Sequence, residues 1–172
     1  MLIAFFVYNC KDSRDISPSF FNVATQNFRS LNNIQKCAII TGEVFNFDLD
    51  VLALTETWHR SASDPALNDV TPFGYACISR NRDNNRVGGG LALIFKNTLK
   101  SRVISCPDFP SFEHLCVSFS SNMWKSHLTI SVIYRSPSFS FSDFVSDFDS
   151  LMVSSTNIIN HVVLGDLNVH FD

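Results

Sequence analysis

Two carboxylate side chains stand where apolar runs change abruptly into polar residues. Glu56 closes the run DVLALTE, and Asp166 closes the run HVVLGD. Such compact apolar runs are typical of buried strands, and open α/β sheets place ligand sites at their strand ends. Because a carboxylate near a core needs a partner, the pattern predicts a hard cation such as Mg²⁺, which binds through one or two carboxylates and several waters. Taken singly, each residue is more often a helix cap or an ordinary turn residue.

Four further polar residues lie near predicted strand ends. Asn168 follows Asp166 by two positions, so along extended backbone both side chains face the same side. Tyr134 and Arg135 end the run LTISVIY, where a phenol and a guanidinium could contact a phosphate. Asn27 follows a shorter apolar run. The alternatives are Asx turns or a helix cap for the asparagines, a sheet-edge tyrosine and a solvated arginine.

Other kinds of site find little support in the sequence. The triplet Gly88–Gly90 precedes a predicted strand rather than a helix, so it indicates a tight hairpin or bulge and not a phosphate-binding loop. No histidine has metal-ligand spacing, and no G-x-S-x-G motif occurs. The five cysteines include no C-x-x-C pair, and Cys37, Cys77 and Cys116 lie in apolar stretches. Reduced, buried thiols are therefore predicted, and zinc ligation is not.

Composition and charge bound the class of protein. With 172 residues, 45% hydrophobic and 17% charged, the chain is expected to form one globular domain. A net charge of −3 gives no bulk argument for nucleic acid. Basic residues concentrate between Arg80 and Arg102, a segment that could face phosphates, although solvated surface explains the charge alone. The sequence predicts neither a membrane-spanning helix nor a secretion signal.

Hydrophobic periodicity predicts one α/β domain with a mixed sheet. A first helix is expected over 31–45, and a second begins at Ser140, which with Asp143 resembles a capping box. The second helix carries an apolar stripe that consists of Phe141, Phe144, Phe148, Leu151 and Met152. Residues 59–72 are expected to be loop. Strands are predicted over 20–25, 50–54, 75–79, 90–95, 102–105, 114–119, 128–134 and 160–164. The five strands from 75–79 to 128–134 favour an antiparallel meander because short loops separate them.

Five motifs, in this order, resemble the endonuclease/exonuclease/phosphatase superfamily. They are TQNFRSLNN (25–33), DVLALTETW (50–58), RVGGGLALIFK (86–96), LTISVIYRSP (128–137) and HVVLGDLNVHFD (161–172). The series is most similar to the endonuclease domain of non-LTR retrotransposons, of the long-interspersed-element and jockey-like kinds. This resemblance implies mixed, largely antiparallel sheets in an incomplete four-layer α/β sandwich, like that of DNase and AP endonuclease.

The resemblance also implies roles for matched residues. Glu56 corresponds to the principal Mg²⁺ ligand, for which Mn²⁺ could substitute, and Asn27 helps to shape the metal and phosphate site. Tyr134 resembles the tyrosine that contacts the scissile phosphate, beside Arg135 as a phosphate contact. Asp166 resembles the aspartate that orients or deprotonates the attacking water. Asn168 resembles the asparagine that stabilises the phosphorane-like state during in-line hydrolysis.

Some features depart from the family pattern. Many members carry an acidic residue where Arg29 stands. The family's catalytic histidine belongs to a Ser-Asp-His motif that does not occur here, and a second metal-site aspartate is also missing. His170 follows the GDLN motif, where members of the family often carry a histidine that is not the catalytic base. The chain is therefore expected to comprise an irregular leader (1–18) and the amino-terminal portion of the domain (19–172), with poor solubility and weak or no nicking activity.

The predicted function is Mg²⁺-dependent phosphodiester hydrolysis, by a DNA endonuclease that nicks target DNA to prime reverse transcription. Two alternatives stay open: a phosphatase of the same fold, and a non-catalytic remnant of a decayed mobile element. The expected partner is the DNA backbone, with no organic cofactor and no membrane. The expected location is intracellular, and nuclear when the domain is part of an intact element.

Overall fold

A computed structural model describes residues 4–10, 19–82, 88–122, 124 and 126–169, with side chains from residue 21 onward. Nine strands in these residues form two sheets. The first sheet contains β1 (Ala4–Cys10), β2 (Ser19–Asn27), β3 (Val51–Thr55), β4 (Tyr75–Arg80) and β5 (Leu91–Lys96). The second contains β6 (Lys100–Val103), β7 (Glu113–Ser120), β8 (Leu128–Tyr134) and β9 (His161–Asp166).

Both sheets are mixed and largely antiparallel, as predicted. The strand orders are β1-β2-β3-β5-β4 and β6-β7-β8-β9, and the parallel pairs are β2 with β3 and β8 with β9. The predicted single meander is wrong, because its five strands are divided between the two sheets. Strand β5 already lies between β3 and β4, so it offers no free edge to β6, and the chain passes to the second sheet.

The two sheets pack face to face between layers of helix. Alternate residues of β3 point to opposite faces: Val51 and Ala53 join the core between the sheets, whereas Leu52 and Leu54 pack under two helices. A third cluster lies on the outer face of the second sheet, where Ile133 packs against a helix. The order is helices, sheet, sheet, helix, which is the four-layer sandwich expected from the resemblance.

Three helices cover the outer faces of the sheets. They are α1 (Ile34–Asn46), α2 (Pro65–Val70) and α3 (Phe141–Ser154). Helix α1 begins three residues later than predicted because Asn33 caps it, accepting from the Gln35 and Lys36 amides at 3.1 and 3.2 Å. Helix α3 begins after Ser140 as predicted, and Ser140 Oγ accepts from the Asp143 amide.

Two predictions about local structure are wrong. Helix α2 lies in the predicted loop 59–72, because Asp64 caps the helix and Pro65 occupies its first turn, where a missing N–H costs nothing. Within the predicted irregular leader 1–18, residues 4–10 form β1, which pairs antiparallel along the free edge of β2. The domain boundary at residue 19 stays a prediction. None of the helices in the described ranges has the length and apolarity that a membrane span requires.

The apolar stripe of α3 is only partly buried. Phe144 and Leu151 are 4% and 1% exposed, and they pack against the second sheet. Phe141 and Met152 are 53% and 41% exposed, so the predicted stripe is wider than the face that the helix buries.

Candidate metal and phosphodiester site

The candidate site lies where the carboxyl ends of four strands meet. Strands β2 and β3 are joined through α1, and β8 and β9 are joined through α3. Asn27 ends β2 and Glu56 directly follows β3, whereas Tyr134 ends β8 and Asp166 ends β9. Because parallel strands present their carboxyl ends at the same sheet edge, each strand–helix–strand unit contributes two polar side chains to one place.

Asn27 connects the two carboxylates. Its Nδ2 donates to Asp166 Oδ2 at 2.5 Å and lies 3.5 Å from Glu56 Oε1, at the limit of a hydrogen bond. Glu56 belongs to the first sheet and Asp166 to the second, so Asn27 marks the junction between the sheets. The structure therefore places both carboxylates on one side of the molecule, within reach of one small ligand.

Two aromatic side chains hold the Glu56 carboxylate. Tyr134 Oη donates to Glu56 Oε1 at 2.5 Å, and Trp58 Nε1 donates to Glu56 Oε2 at 3.3 Å. Burial raises the pKa of the Tyr134 phenol, and its hydrogen bond to Glu56 raises that pKa further. Tyr134 therefore keeps its proton at neutral pH and acts as a hydrogen-bond donor.

The backbone around Glu56 is strained and clamped from both sides. Glu56 has φ +54° and Trp58 has φ +59°, in the left-handed region that residues other than glycine seldom adopt. The Ser30 amide donates to Glu56 O, and the Thr57 amide donates to Gly90 O. At Gly90, φ is +85° and a Cβ would lie 2.6 Å from Thr57 Oγ1, so only glycine fits this close approach. The glycine triplet thus allows its backbone to approach residues 57 and 58 closely, which holds Glu56 in place.

An ion pair that the sequence did not reveal supports this junction. Arg82 Nε donates to Glu113 Oε1 at 2.6 Å, and Glu113 Oε2 accepts from the Gly90 amide at 2.6 Å. The Arg82 guanidinium also lies 5.7 Å from the centre of the Tyr134 ring. Arg82 and Glu113 are 31 residues apart, so no local pattern links them. The Trp58 contact, by contrast, could have been inferred, because Trp58 follows Glu56 by two positions.

Asn168 lies beside Asp166 and helps to position it. The Asn168 amide donates to Asp166 Oδ1 at 3.1 Å, and its side-chain Nδ2 donates to the Arg135 carbonyl at 2.6 Å. Asn168 has φ +47°, so the turn after β9 is tight. One hydrogen of the Asn168 side-chain amide is thus used within the protein, and the other has no partner among the described residues.

The prediction that Arg135 contacts a substrate phosphate is wrong for this arrangement. Arg135 is 6% exposed, and its guanidinium donates to the carbonyl oxygens of Phe139, Leu167 and Asn168 at 2.5 to 2.8 Å. It also lies 5.5 Å from the centre of the Phe144 ring. Arg135 therefore joins the segment after β8 to the turn after β9. In this way it helps to position Tyr134 and Asp166, which end these two strands.

Replacing Arg135 with lysine is expected to lower the free energy of unfolding by about 2–3 kcal/mol, because the ammonium of lysine cannot reproduce the three hydrogen bonds that the buried guanidinium donates to partly buried carbonyls. Urea unfolding followed by circular dichroism measures this change. The exposed Arg60, replaced with lysine in the same way, is expected to change stability by less than about 0.5 kcal/mol. An Arg135→Lys protein as stable as the parent chain would mean that the guanidinium is free for a ligand.

The oxygen donors at this place fit Mg²⁺ or Mn²⁺. Glu56 and Asp166 present carboxylate oxygens, and Asn27 Oδ1 is a buried acceptor without a hydrogen-bond partner among the described residues. Hard divalent cations select oxygen ligands, and Mg²⁺ retains several waters beside one or two carboxylates. The same cation would offset the repulsion between two carboxylates that share one amide nitrogen. Glu56 and Asn27 are therefore the residues that would hold it, with the Asp166 carboxylate beside them.

A cavity of about 480 Å³ opens beside these donors. Its polar lining includes Asn27, Asp166, Arg29 and Lys36. Lys36 Nζ lies 5.7 Å from the centre of the Phe28 ring, above the turn that follows β2. Arg29, which stands where an acidic residue was expected, thus adds positive charge to the wall of the cavity.

In its described part, the basic segment 80–102 has three cations in ion pairs, whereas Lys100 and Arg102 lie on the exposed strand β6. Arg80 pairs with Asp108 at 2.7 Å, and Lys96 pairs with Asp48 and Asp50 at 2.7 and 3.0 Å. Arg82 pairs with Glu113, as described above. Arg86 and His170 lie outside the described residues. The positive charge next to the site comes instead from Arg29 and Lys36.

Comparisons with known proteins identify the fold and the family. The sequence profile described as "Endonuclease/Exonuclease/phosphatase family" matches residues 20–172. Among curated proteins, none matches the chain significantly. One similar structure is an endonuclease/exonuclease/phosphatase family protein from Bacteroides thetaiotaomicron, with a TM-score of 0.68 and 17% identity over 89% of this chain and 65% of that one.

Two further structures share the fold. The endonuclease domain of TRAS1, a telomere-specific non-LTR retrotransposon, has a TM-score of 0.63 and 11% identity over 87% of this chain and 61% of that one. The AP endonuclease LMAP from Leishmania major has a TM-score of 0.61 and 16% identity over 94% of this chain and 60% of that one. The chain thus spans less than two thirds of the length of each of these three structures.

Proposed function

Because the chain belongs to the endonuclease/exonuclease/phosphatase family, we propose that its strand-end carboxylates form part of a Mg²⁺-dependent site that hydrolyses phosphodiester bonds in DNA. The observation that carries the proposal is the meeting of Glu56 and Asp166 at Asn27 Nδ2. These carboxylates come from different sheets, and a divalent cation is the ligand that their oxygens favour.

Each residue of the site has a role in the proposed hydrolysis, in which a water oxygen bonds to phosphorus as the P–O bond to the leaving group breaks. Glu56 holds the cation, which when bound supplies positive charge next to the phosphate. Asp166 orients the attacking water and accepts its proton. Tyr134, which keeps its proton, and the second amide hydrogen of Asn168 donate to phosphate oxygens as negative charge grows on them.

The cavity beside the site favours a polyanionic substrate. Arg29 and Lys36 line one wall of this cavity, with Asn27 and Asp166 close by. Two cations close together, Arg29 on the turn after β2 and Lys36 in the first turn of α1, suit successive phosphates of a nucleic-acid backbone. Together with the retrotransposon-like motifs TETW and GDLN, this arrangement supports DNA as the substrate. The full proposal is nicking of target DNA to prime reverse transcription, in the nucleus when the domain is part of an intact element.

The alternatives make different predictions about binding. A phosphatase of this fold would bind a soluble inositol phosphate in preference to DNA. A non-catalytic remnant would have at most binding ability, and with a collapsed site it would gain no stability from Mg²⁺. The test is competition for the 172-residue chain in Mg²⁺ between a labelled short duplex and either unlabelled duplex or an inositol phosphate. Displacement by duplex alone supports the DNA proposal. Displacement by inositol phosphate at far lower concentration, or no duplex binding, overturns it.

Replacing Lys36 or Arg29 with alanine is expected to weaken duplex binding and to lower the slope of log affinity against log salt concentration by about 1 for each residue. The reason is that each lost phosphate contact releases one counterion fewer. Fluorescence anisotropy across a salt series measures the slope. Lys100, an exposed residue on the edge strand β6, is the matched control, and Lys100→Ala is expected to leave the slope unchanged. Equal slopes for all three variants would place the DNA elsewhere.

A further inference from the structure

A second group of potential ligands lies on the outer face of the second sheet, away from the strand-end carboxylates. His114 and Cys116 are two positions apart on β7, so their side chains share one face. Cys106 comes from the segment between β6 and β7. One ring nitrogen of His114 and the two sulfur atoms all lie within 4.8 Å of one another. Three metal-binding side chains from β7 and from the segment before it thus lie close together.

The group is buried and chemically incomplete. His114 is 3% exposed and Cys116 is 4% exposed. His114 Nε2 is hydrogen-bonded to Ser131 Oγ at 3.0 Å, but Nδ1 is buried without a hydrogen-bond partner in the described part of the chain. An unsatisfied buried polar atom is destabilising by about 1–3 kcal/mol, so a missing ligand at Nδ1 is the simplest account.

The side chains behind His114 orient it as a ligand. Ser131 is fully buried on β8, and its Oγ lies 3.0 Å from His114 Nε2 and 2.8 Å from His161 Nε2. Burial lowers the pKa of His114 to about 4, with Arg80 and His161 contributing, and burial also lowers the pKa of His161. Both rings are therefore neutral at neutral pH. If His114 Nε2–H donates to Ser131, and Ser131 O–H donates to His161, the Nδ1 lone pair is free to bind a cation.

The charges around the group are compatible with a divalent cation. Arg80, whose guanidinium donates to His114 O at 3.0 Å, is already paired with Asp108 at 2.7 Å. Two thiolates would neutralise a divalent ion, and an imidazole adds no charge. Burial and the neighbouring Cys116 together raise the pKa of the Cys106 thiol to about 11. Because the cation binds thiolates rather than thiols, its affinity should fall as the pH falls.

We propose that Cys106, Cys116 and His114 Nδ1 form a site for a thiophilic cation such as Zn²⁺, separate from the Mg²⁺ site. Two sulfurs and one imidazole are soft and borderline ligands that Mg²⁺ does not select, whereas Zn²⁺ binds them in tetrahedral geometry. Three protein ligands leave a fourth position for water or another donor. The sequence did not indicate the site, because its cysteines are ten residues apart and the β6–β7 connection is needed to bring them together.

The test is metal titration of the reduced, metal-free chain. Co²⁺ serves as the spectroscopic probe, and Zn²⁺ competes against a chromophoric chelator. The expected result is one ion per chain, with a thiolate-to-cobalt charge-transfer band that Zn²⁺ abolishes. Cys106→Ser and Cys116→Ser should each remove that band, and Ser131→Ala should weaken binding by about 10- to 100-fold. Cys77→Ser, which changes a thiol in the first sheet, should bind like the parent chain.

Circular dichroism separates loss of a ligand from loss of the fold, and Cys106, in a connecting segment, is the variant expected to keep the fold intact. Absence of the charge-transfer band in the folded parent chain would overturn the proposal. So would an equal loss in Cys77→Ser. A disulfide between Cys106 and Cys116 in protein purified without added oxidant, found by non-reducing peptide mapping, would make the group a redox pair instead.

Discussion

Replacing Glu56 with glutamine is expected to abolish the stabilisation of the chain by Mg²⁺. A ligand that binds only the folded state at about 100 times its Kd stabilises that state by about 2.7 kcal/mol. For a chain of this size, such a gain raises Tm by about 5–10 °C. Glutamine keeps the shape of Glu56 but removes the charge that the cation requires. Thermal unfolding with and without MgCl2, at constant ionic strength, measures the difference.

The matched control for this experiment is Glu43→Gln. Glu43 lies on α1, apart from the strand-end residues, so its variant should respond to Mg²⁺ like the parent chain. The parent chain should gain stability, and Glu56→Gln should gain less than about 1 °C. If Glu56→Gln responds as fully as the parent chain, the cation binds somewhere else.

Replacing Gly165 with alanine is expected to lower the free energy of unfolding by about 3–4 kcal/mol. Gly165 precedes Asp166 on β9 and pairs with Ile133 on β8. It has φ +135°, and a Cβ there would overlap the backbone carbonyl of Ile133, with the Ile133 nitrogen at 2.8 Å. Since backbone atoms cannot move aside as a side chain can, β9 must shift. Chemical denaturation measures the loss of stability, and the Mg²⁺ response should weaken with it because Asp166 moves.

Gly42→Ala is the control for the effect of a methyl group. Gly42 lies within α1, and a Cβ there would meet no atom within 4 Å. Because alanine favours the helix over glycine by about 1 kcal/mol, this variant should be more stable than the parent chain. Equal stability of Gly165→Ala and the parent chain would show that β8 and β9 are not packed as described.

The sequence was sufficient for elements with a strong local signal. The stripe around Phe144 and Leu151 predicted α3, and the compact apolar run over 50–54 predicted the buried strand that is observed as β3. The sequence does not predict helix α2 because a helix of six residues is too short to show periodicity, and Pro65 is typical of a loop as well as of a first helical turn. The division into two sheets was missed because it depends on which strand edges are free, a property of the whole fold.

The candidate site was predictable to the extent that its residues end apolar runs. Glu56 and Asp166 were found in this way, and their meeting follows from two strand–helix–strand units that face one another. The interpretation of Arg135 is wrong because two of its three carbonyl partners lie on a turn more than 30 residues away, which no local pattern reveals. The sequence does not reveal the pairing of Arg82 with Glu113 either, because these residues are 31 positions apart.

The most direct test of the account is an anomalous difference map from a crystal of the chain soaked in Mn²⁺. The account predicts one peak in coordination distance of the Glu56 carboxylate, about 2.0–2.3 Å, on the side that faces Asp166 and Asn27. The peak should be absent from crystals of Glu56→Gln. Manganese bound only at another place, or a crystal structure with Glu56 and Asp166 on opposite sides of the molecule, would contradict it.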